Sequence, residues 1–288
     1  MKIAVIHDTD NDGYMSAAII QSRYGAGLCD FFPARSYDQE RLRSLPGLVR
    51  GYDTVYMVDI SAPLDIMDAL ENQAGKDFLW FDHHASASDM FGAYQGRQEL
   101  GKSACRLVYE WLHPGEDLPD AVDYTDRYDL FEGQDRFDFR STIIPFQCVM
   151  ERIRSVRAYR QVLVSGSEDI WNLIEIGTRL WEDEQSAFDL VEKKFLWYSR
   201  PNWEASKNYH LVITKALRNP GRVAWMLRQN GSKDDFYINQ NLNDGKFTHS
   251  LRSLHPEADC LQFIKEIGVR GGGHPQAAGF STEFDLFT

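Results

Sequence analysis

The stretch Met1-Lys2-Ile3-Ala4-Val5-Ile6-His7-Asp8-Thr9-Asp10-Asn11-Asp12-Gly13 decides the fold: a short aliphatic run breaks into alternating acids and a glycine. Two further stretches have the same form. Val55 to Val58 runs into Asp59, and Phe78 to Phe81 runs into Asp82-His83-His84. Short apolar runs separated by helical patterns predict the strands of a mostly parallel sheet. In an open α/β sheet the ligand crevice lies outside the carboxyl ends of the strands, so these acids and histidines are expected to converge there.

Working outward, strands are expected at Lys2 to Ile6, Cys29 to Phe32, Thr54 to Val58 and Phe78 to Phe81, with helices at Met15 to Arg23, Leu64 to Asn72 and Lys102 to Leu112. From 146 to about 200 the pattern is helical only. Ile170, Leu173, Ile174, Leu180, Trp181, Phe188, Val191 and Phe195 recur at the spacing of one apolar helix face. Trp171, Trp181 and Trp225 are read as packing residues. Mixed signals return from Tyr209, with strands at His210 to Thr214, Phe236 to Gln240 and Phe247 to Leu251, and helices at Arg222 to Gln229 and Glu257 to Ile267. The expected architecture is α/β in two domains: a larger mostly parallel-sheet domain over 1–145, a helical connector over 146–205, and a smaller mixed-sheet domain over 206–288.

A chain of 288 residues is long enough for two domains with separate cores. Its net charge of -12 and pI near 5.1 argue against a general duplex-DNA binder, which carries a broad basic surface. Small phosphorylated ligands remain compatible, because a divalent metal supplies positive charge locally. Cys29, Cys105, Cys148 and Cys260 form no C-x-x-C pair, so neither a zinc knuckle nor a disulfide framework is indicated, and a reducing, cytoplasmic setting is expected. The first residues lack the pattern of a signal peptide, and no stretch has the length of a membrane span.

Asp8, Asp10 and Asp12 would point to one side if the first strand continued, whereas a loop opened by Gly13 would let them wrap an ion. Crowded carboxylates repel, which raises their pKa values and costs stability unless a cation compensates. Position 12 of an EF-hand loop counted from Asp8 is Ile19 rather than Glu, so a calcium loop of that type is excluded. With Asp59 and the Asp82-His83-His84 run, the set mixes oxygen and imidazole donors, which suits Mn²⁺ better than Ca²⁺ or structural zinc. Two ions about 3.5–4 Å apart are the usual machinery for in-line attack on phosphorus.

These residues resemble the DHH phosphoesterase superfamily, whose name-giving triplet is Asp82-His83-His84 here. The first motif is similar to Asp8-Thr9-Asp10-Asn11-Asp12-Gly13-Tyr14-Met15-Ser16-Ala17 and the second to Val58-Asp59. A fourth acidic motif is matched by Thr125-Asp126-Arg127-Tyr128-Asp129-Leu130, with Asp126 preferred to Asp129. Near the carboxyl end, Ser250-Leu251-Arg252-Ser253 and Arg270-Gly271-Gly272-Gly273-His274-Pro275-Gln276-Ala277-Ala278-Gly279-Phe280 resemble the substrate-binding domain of RecJ-like exonucleases, nanoRNases and pAp phosphatases. Glycine amides could donate to phosphate oxygens, particularly at a helix amino terminus, with His274 and a forked Arg252 adding side-chain donors. The segment from about 135 to 205 has no such counterpart.

The resemblance implies two Mn²⁺ ions, with Mg²⁺ as a substitute. Asp8 (or His7), Asp10 and Asp59 would hold one, and Asp12, Asp59, His83 and Asp126 (or Asp129) the other, with Asp59 bridging. Asp82 and His84 would be catalytic, His84 contacting the scissile phosphate. Arg252, Gly271, Gly272, Gly273 and His274 would bind substrate. RecJ-like DNA exonucleases and cyclic-dinucleotide phosphodiesterases usually carry further domains, so the two-domain minimum implies hydrolysis of short single-stranded RNA or DNA oligonucleotides, pAp or linear dinucleotides. It leaves room for a homodimer and calls for no membrane. Tyr14, Tyr94, Tyr128, Phe131 or Trp203 could stack a base. Rival readings are a pyrophosphatase, which the glycine signature opposes, and a degenerate nucleotide-binding DHH protein, which the retained acids oppose.

Overall fold

The structure is a computed structural model that describes residues 1–36, 38–74, 77–134, 136–190, 194–198, 209–215, 219–243 and 245–286. Val191 and Trp203 lie outside the described residues. The chain divides into two compact units, Met1–Glu184 and Gln185–Thr288.

The first unit is built on a parallel sheet of β1 (Ile3–His7), β2 (Cys29–Pro33), β3 (Thr54–Val58), β4 (Phe78–Asp82) and β5 (Gly96–Gln98), in the order β2-β1-β3-β4-β5. The period of two sorts its side chains into two cores. Ile3, Val5, Tyr56, Val58 and Phe81 pack on one face with α1 (Asn11–Tyr24), α4 (Ala104–Leu112), α5 (Asp120–Asp129), α6 (Ile144–Ile153) and α7 (Val156–Leu163). Ala4, Ile6, Val55, Met57, Phe78 and Trp80 pack on the other with α2 (Gln39–Leu48) and α3 (Leu64–Ala74). Both faces are covered, as a parallel sheet requires, and that is why its strands read as continuous apolar runs.

The order 2-1-3-4-5 reverses direction between β1 and β3, and such a switch point opens a crevice at the carboxyl edge. The register levels the strand ends there: His7 pairs with Val58, and Val58 with Phe81. Each next residue is an acid. Asp8 N donates to Val58 O at 3.4 Å and Asp59 N to Phe81 O at 2.9 Å, so Asp8, Asp59 and Asp82 sit at one level of the ladder.

Several expectations change. Gly13 opens no loop but lies in the first turn of α1, with Asp10 as N-cap. Strand β5 and helix α2 carry no clear sequence pattern and were not expected. The segment expected to connect two domains is divided: α6, α7 and most of α8 (Ser167–Leu190) fall in the first unit, and Phe195 lies in a strand of the second. Ile170, Ile174, Trp181 and Phe188 form the buried stripe of α8, whereas Trp171, one residue off it, is 57% exposed and is not a packing residue.

The second unit carries a mixed sheet of β6 (Lys194–Tyr198), β7 (Tyr209–Lys215), β8 (Phe236–Asn243), β9 (Lys246–Ser253), β10 (Gly271–Gly273) and β11 (Ala277–Thr282), ordered β10-β11-β9-β8-β7-β6. Among the described residues of this unit only β7 and β8 pair in parallel. Phe236, Ile238, Leu251, Ala278 and Phe280 face α10 (Cys260–Ile267), while α9 (Pro220–Gln229) packs on β8 and β9. No helix of the described residues is long and apolar enough to cross a membrane.

Candidate metal centre

His83 occupies the middle of the acidic edge. Its Nε2 lies 3.2 Å from Asp129 Oδ2, 3.4 Å from Asp59 Oδ1 and 3.6 Å from Asp12 Oδ2, and it is buried with Asp12 and Asp59. One ligand atom each from Asp12, His83 and Asp129 lies within 4.8 Å of the others, and the same holds for Asp59, Asp82 and His84. Asp59 therefore adjoins both groups. Its backbone takes φ 60, a left-handed conformation that costs an aspartate of order 1–3 kcal/mol. Its Oδ2 is buried without a hydrogen-bond partner among the described residues.

The electrostatics follow from that crowding. Burial first, and then the charges of Asp10, Asp12, Asp8 and Asp129, push the Asp59 carboxyl well above the usual carboxylate range. Burial and Asp10 push Asp8 up to about 7. Burial and Asp129 push Asp12 up to about 6, although His83 works against them. A buried, partnerless carboxylate oxygen among acids and an imidazole is the donor set that a divalent cation of intermediate hardness fits.

Local structure positions each group. Asp10 caps α1, its Oδ1 accepting from Gly13 N at 3.0 Å. A side chain on Gly13 would put Cβ 2.3 Å from the Asp8 carbonyl oxygen, so only glycine lets α1 start this close to the end of β1. Asp12 Oδ2 accepts from Ala104 N and Oδ1 from Cys105 N, both at 2.7 Å, so it caps α4 from a distance. Asp82 is a bracket for the histidines: Oδ1 accepts from His83 N at 2.8 Å, from His84 N at 3.1 Å and from His84 Nδ1 at 2.7 Å. Burial opposes the charge on both partners. Their attraction outweighs it, holding Asp82 below its usual value and raising His84 to about 10.

The fourth motif departs from the preferred expectation. Asp126 is buried, but its carboxylate accepts from Ser103 N at 2.8 Å and from Arg106 Nη1 at 3.0 Å. Asp129, one helical turn on, is the residue beside His83. His7 is not gathered with the acids either. Its ring packs against Tyr14 at 5.1 Å and Phe31 at 6.3 Å, and its Nδ1 lies 2.6 Å from the Asp8 carbonyl oxygen. Burial lowers its pKa. Sequence reasoning missed Arg35: its Nε donates to Thr9 Oγ1 at 2.6 Å, and its charge lowers the Asp8 pKa. The signal is present, because Arg35 follows the carboxyl end of β2 just as the acids follow β1, β3 and β4.

In the second unit the glycine run is not at a helix amino terminus. It forms β10, an edge strand, and the next turn is closed by His274 N donating to Ala277 O at 2.7 Å. A Cβ on Gly273 would approach Ala277 O to 2.5 Å, and its φ of 135 already favours glycine. Ala277 pairs with Arg252, so the turn and Arg252 lie at one end of the sheet, with Arg252 on the face opposite Leu251. Arg252 Nη1 donates to Leu251 O at 2.8 Å. Among the aromatic candidates, Tyr14 is stacked on Tyr159, Tyr94 is buried with its hydroxyl on Asp68, and Tyr128 stacks with Phe131.

This geometry separates Asp126 from Asp129 by experiment. Asp129→Asn should weaken Mn²⁺ binding by at least about tenfold in a calorimetric titration. Asp126→Asn should instead lower unfolding stability by roughly 1–3 kcal/mol through its contacts to Ser103 and Arg106. Because Asp8, Asp12 and Asp59 have folded pKa values above their unfolded ones, their contribution to metal-free stability is full below about pH 4 and is lost as pH rises through the folded values. The metal-free melting temperature should therefore fall between about pH 5 and pH 8, and Mn²⁺ should raise it more at the higher pH.

No protein-family model and no curated protein matches the sequence. Solved structures do. One is the DHH domain of a member of the s1p family of ribosomal proteins, at a TM-score of 0.60 and 13% identity over 97% of this chain and 82% of that one. An exopolyphosphatase-related protein from Bacteroides fragilis gives 0.53 and 14% over 99% and 88%. RecJ in complex with Mn²⁺ from Thermus thermophilus gives 0.52 and 15% over 98% of this chain and 49% of that one. The five-strand parallel sheet and the second mixed sheet are thus consistent with the fold of these structures, the first of which is a DHH domain.

Proposed function

We propose that the protein is a divalent-metal-dependent phosphodiesterase that removes nucleotides from short single-stranded oligonucleotides. The observation that carries this reading is the buried Asp59 Oδ2, without a partner among the described residues and flanked by Asp8, Asp10, Asp12, Asp129 and His83. The RecJ structure of the same fold holds Mn²⁺. Here Asp59, Asp12, His83 and Asp129 would hold one ion, and Asp59, Asp8 and Asp10 a second, with Mn²⁺ favoured over Mg²⁺ by the imidazole. When bound, such cations lower the pKa of water and neutralise charge on a phosphoryl group.

The remaining work falls to side chains. Asp82 Oδ1, accepting from His84 Nδ1–H at 2.7 Å, orients that imidazole and its charge favours the protonated ring, whose Nε2–H would donate to a phosphate or leaving oxygen. Arg252, the glycine strand and His274 are read as the substrate grip, the guanidinium matching two phosphate oxygens. The net charge of -12 favours a short substrate, since long nucleic acid is held by phosphate contacts along a basic track.

The test is one assay in Mn²⁺ across RNA dimers to pentamers, long single-stranded DNA, pAp, linear and cyclic dinucleotides, and pyrophosphate. Dimers to pentamers should be hydrolysed fastest. Processive loss of long DNA with dinucleotides intact would overturn the substrate reading, and bound Mn²⁺ with no turnover of any substrate would overturn the enzymatic one. Asp59→Ala and His83→Ala should each cut turnover by at least about a hundredfold, the upper end of what an outer-shell change costs. Arg252→Ala should mainly raise KM.

A further inference from the structure

Asn11 stands between Asp10 and Asp12, yet its side chain belongs to a different set of contacts. Its Nδ2 donates to Gln147 Oε1, and its Oδ1 accepts from the Tyr159 hydroxyl at 2.6 Å. Gln147 Nε2 continues to the Tyr124 carbonyl at 3.2 Å and the Thr125 hydroxyl at 3.3 Å. The Thr125 hydroxyl donates its own hydrogen bond to Ala121 O at 2.8 Å, which leaves the lone pairs of its oxygen to accept from Gln147. Asn11, Gln147, Tyr159 and Thr125 are all buried, and the Tyr159 ring stacks on Tyr14 at 5.4 Å.

The path of these bonds joins two acid-bearing helices. It begins within α1 beside Asp12, crosses α6 at Gln147 and ends on α5 at Thr125, four residues before Asp129, while the Tyr159 hydroxyl of α7 holds Asn11 from the side and also lies 3.0 Å from Met150 O of α6. Residues four apart share a helix face. Asp12 and Asp129 are the carboxylates that approach His83 Nε2 from these two helices, at 3.6 and 3.2 Å. Their repulsion acts to push α1 and α5 apart in the metal-free chain, whereas ligand geometry must hold to about 0.5 Å. A buried carboxamide satisfied at both ends is fixed in orientation and position, and a fully satisfied polar network resists such spreading.

We propose that Asn11, Gln147 and Tyr159 are positioning residues that set the spacing of Asp12 and Asp129 for a divalent cation, which makes the helices over 144–163 part of the metal centre. This rests on the reading that the acids hold such an ion. The test is Mn²⁺ titration by calorimetry on the full chain, with thermal unfolding of the metal-free protein alongside. Tyr159→Phe keeps the ring on Tyr14 and removes one donor; Gln147→Met keeps the length and removes both ends of the amide. Each should raise the Mn²⁺ Kd by about 10- to 100-fold. Leu70→Ala, a cavity in the opposite core, should lower the melting temperature and leave Kd within about twofold. Both bracket variants binding Mn²⁺ within about twofold of wild type, with only the melting temperature lowered, would overturn the proposal. A wild-type chain that binds no Mn²⁺ would overturn it together with the metal reading. Should Gln147→Met fail to fold, Tyr159→Phe decides alone.

Discussion

Repulsion among carboxylates gathered at one edge of the parallel sheet is the constraint to which the rest of the first unit responds. The sheet order brings the ends of β1, β3 and β4 to one level, and α1 and α5 add Asp10, Asp12 and Asp129. Two like charges about 5 Å apart at an effective dielectric of about 20 repel by about 3 kcal/mol. A domain is stable by only about 5–15 kcal/mol, so such a cluster must be neutralised, protonated or braced. Each device is present. Asp12 receives two amides of α4, Asp82 receives the His84 imidazole, and Asp8 and Asp59 are raised toward neutrality.

Helix α4 is central to this arrangement. Its first amides donate to two carboxylates far away in sequence, Ala104 and Cys105 to Asp12, and the preceding Ser103 to Asp126. An amino-terminal helix end carries a partial positive charge, and anions there gain typically about 0.3–1 kcal/mol, or more when partly buried. Asp126 also takes Arg106 and is thereby committed to the scaffold, which leaves Asp129 as the acid of α5 that faces His83. Two aspartates three residues apart have divided one motif between anchoring and the site.

Much of this was legible in the residues. Ile3 to Ile6, Val55 to Val58 and Phe78 to Phe81 read as buried strands because a parallel sheet is covered on both faces, and the acids behind them mark its carboxyl edge. The choice between Asp126 and Asp129 was not legible, since it depends on where Arg106 and Ser103 pack. Ser103 has the residue type of an N-cap, yet its side chain caps nothing; the capping carboxylates come from elsewhere. The edge strand β10 was hidden because three glycines carry no β pattern, and it is pairing with β11 that makes them a strand. Asn11 passed as one more polar residue in an acidic string, because its partners Gln147 and Tyr159 lie in a segment whose helical pattern gave no hint of the site.

The most direct test of the central claim is the position of Mn²⁺ itself, read from anomalous diffraction at the manganese edge on crystals of the full chain grown or soaked with the ion. An anomalous peak bonded to Asp59 and His83, with Asp12 and Asp129 as neighbours, is the predicted result. No peak at that edge, or a peak bonded to Asp126 with Asp129 turned away, would contradict it.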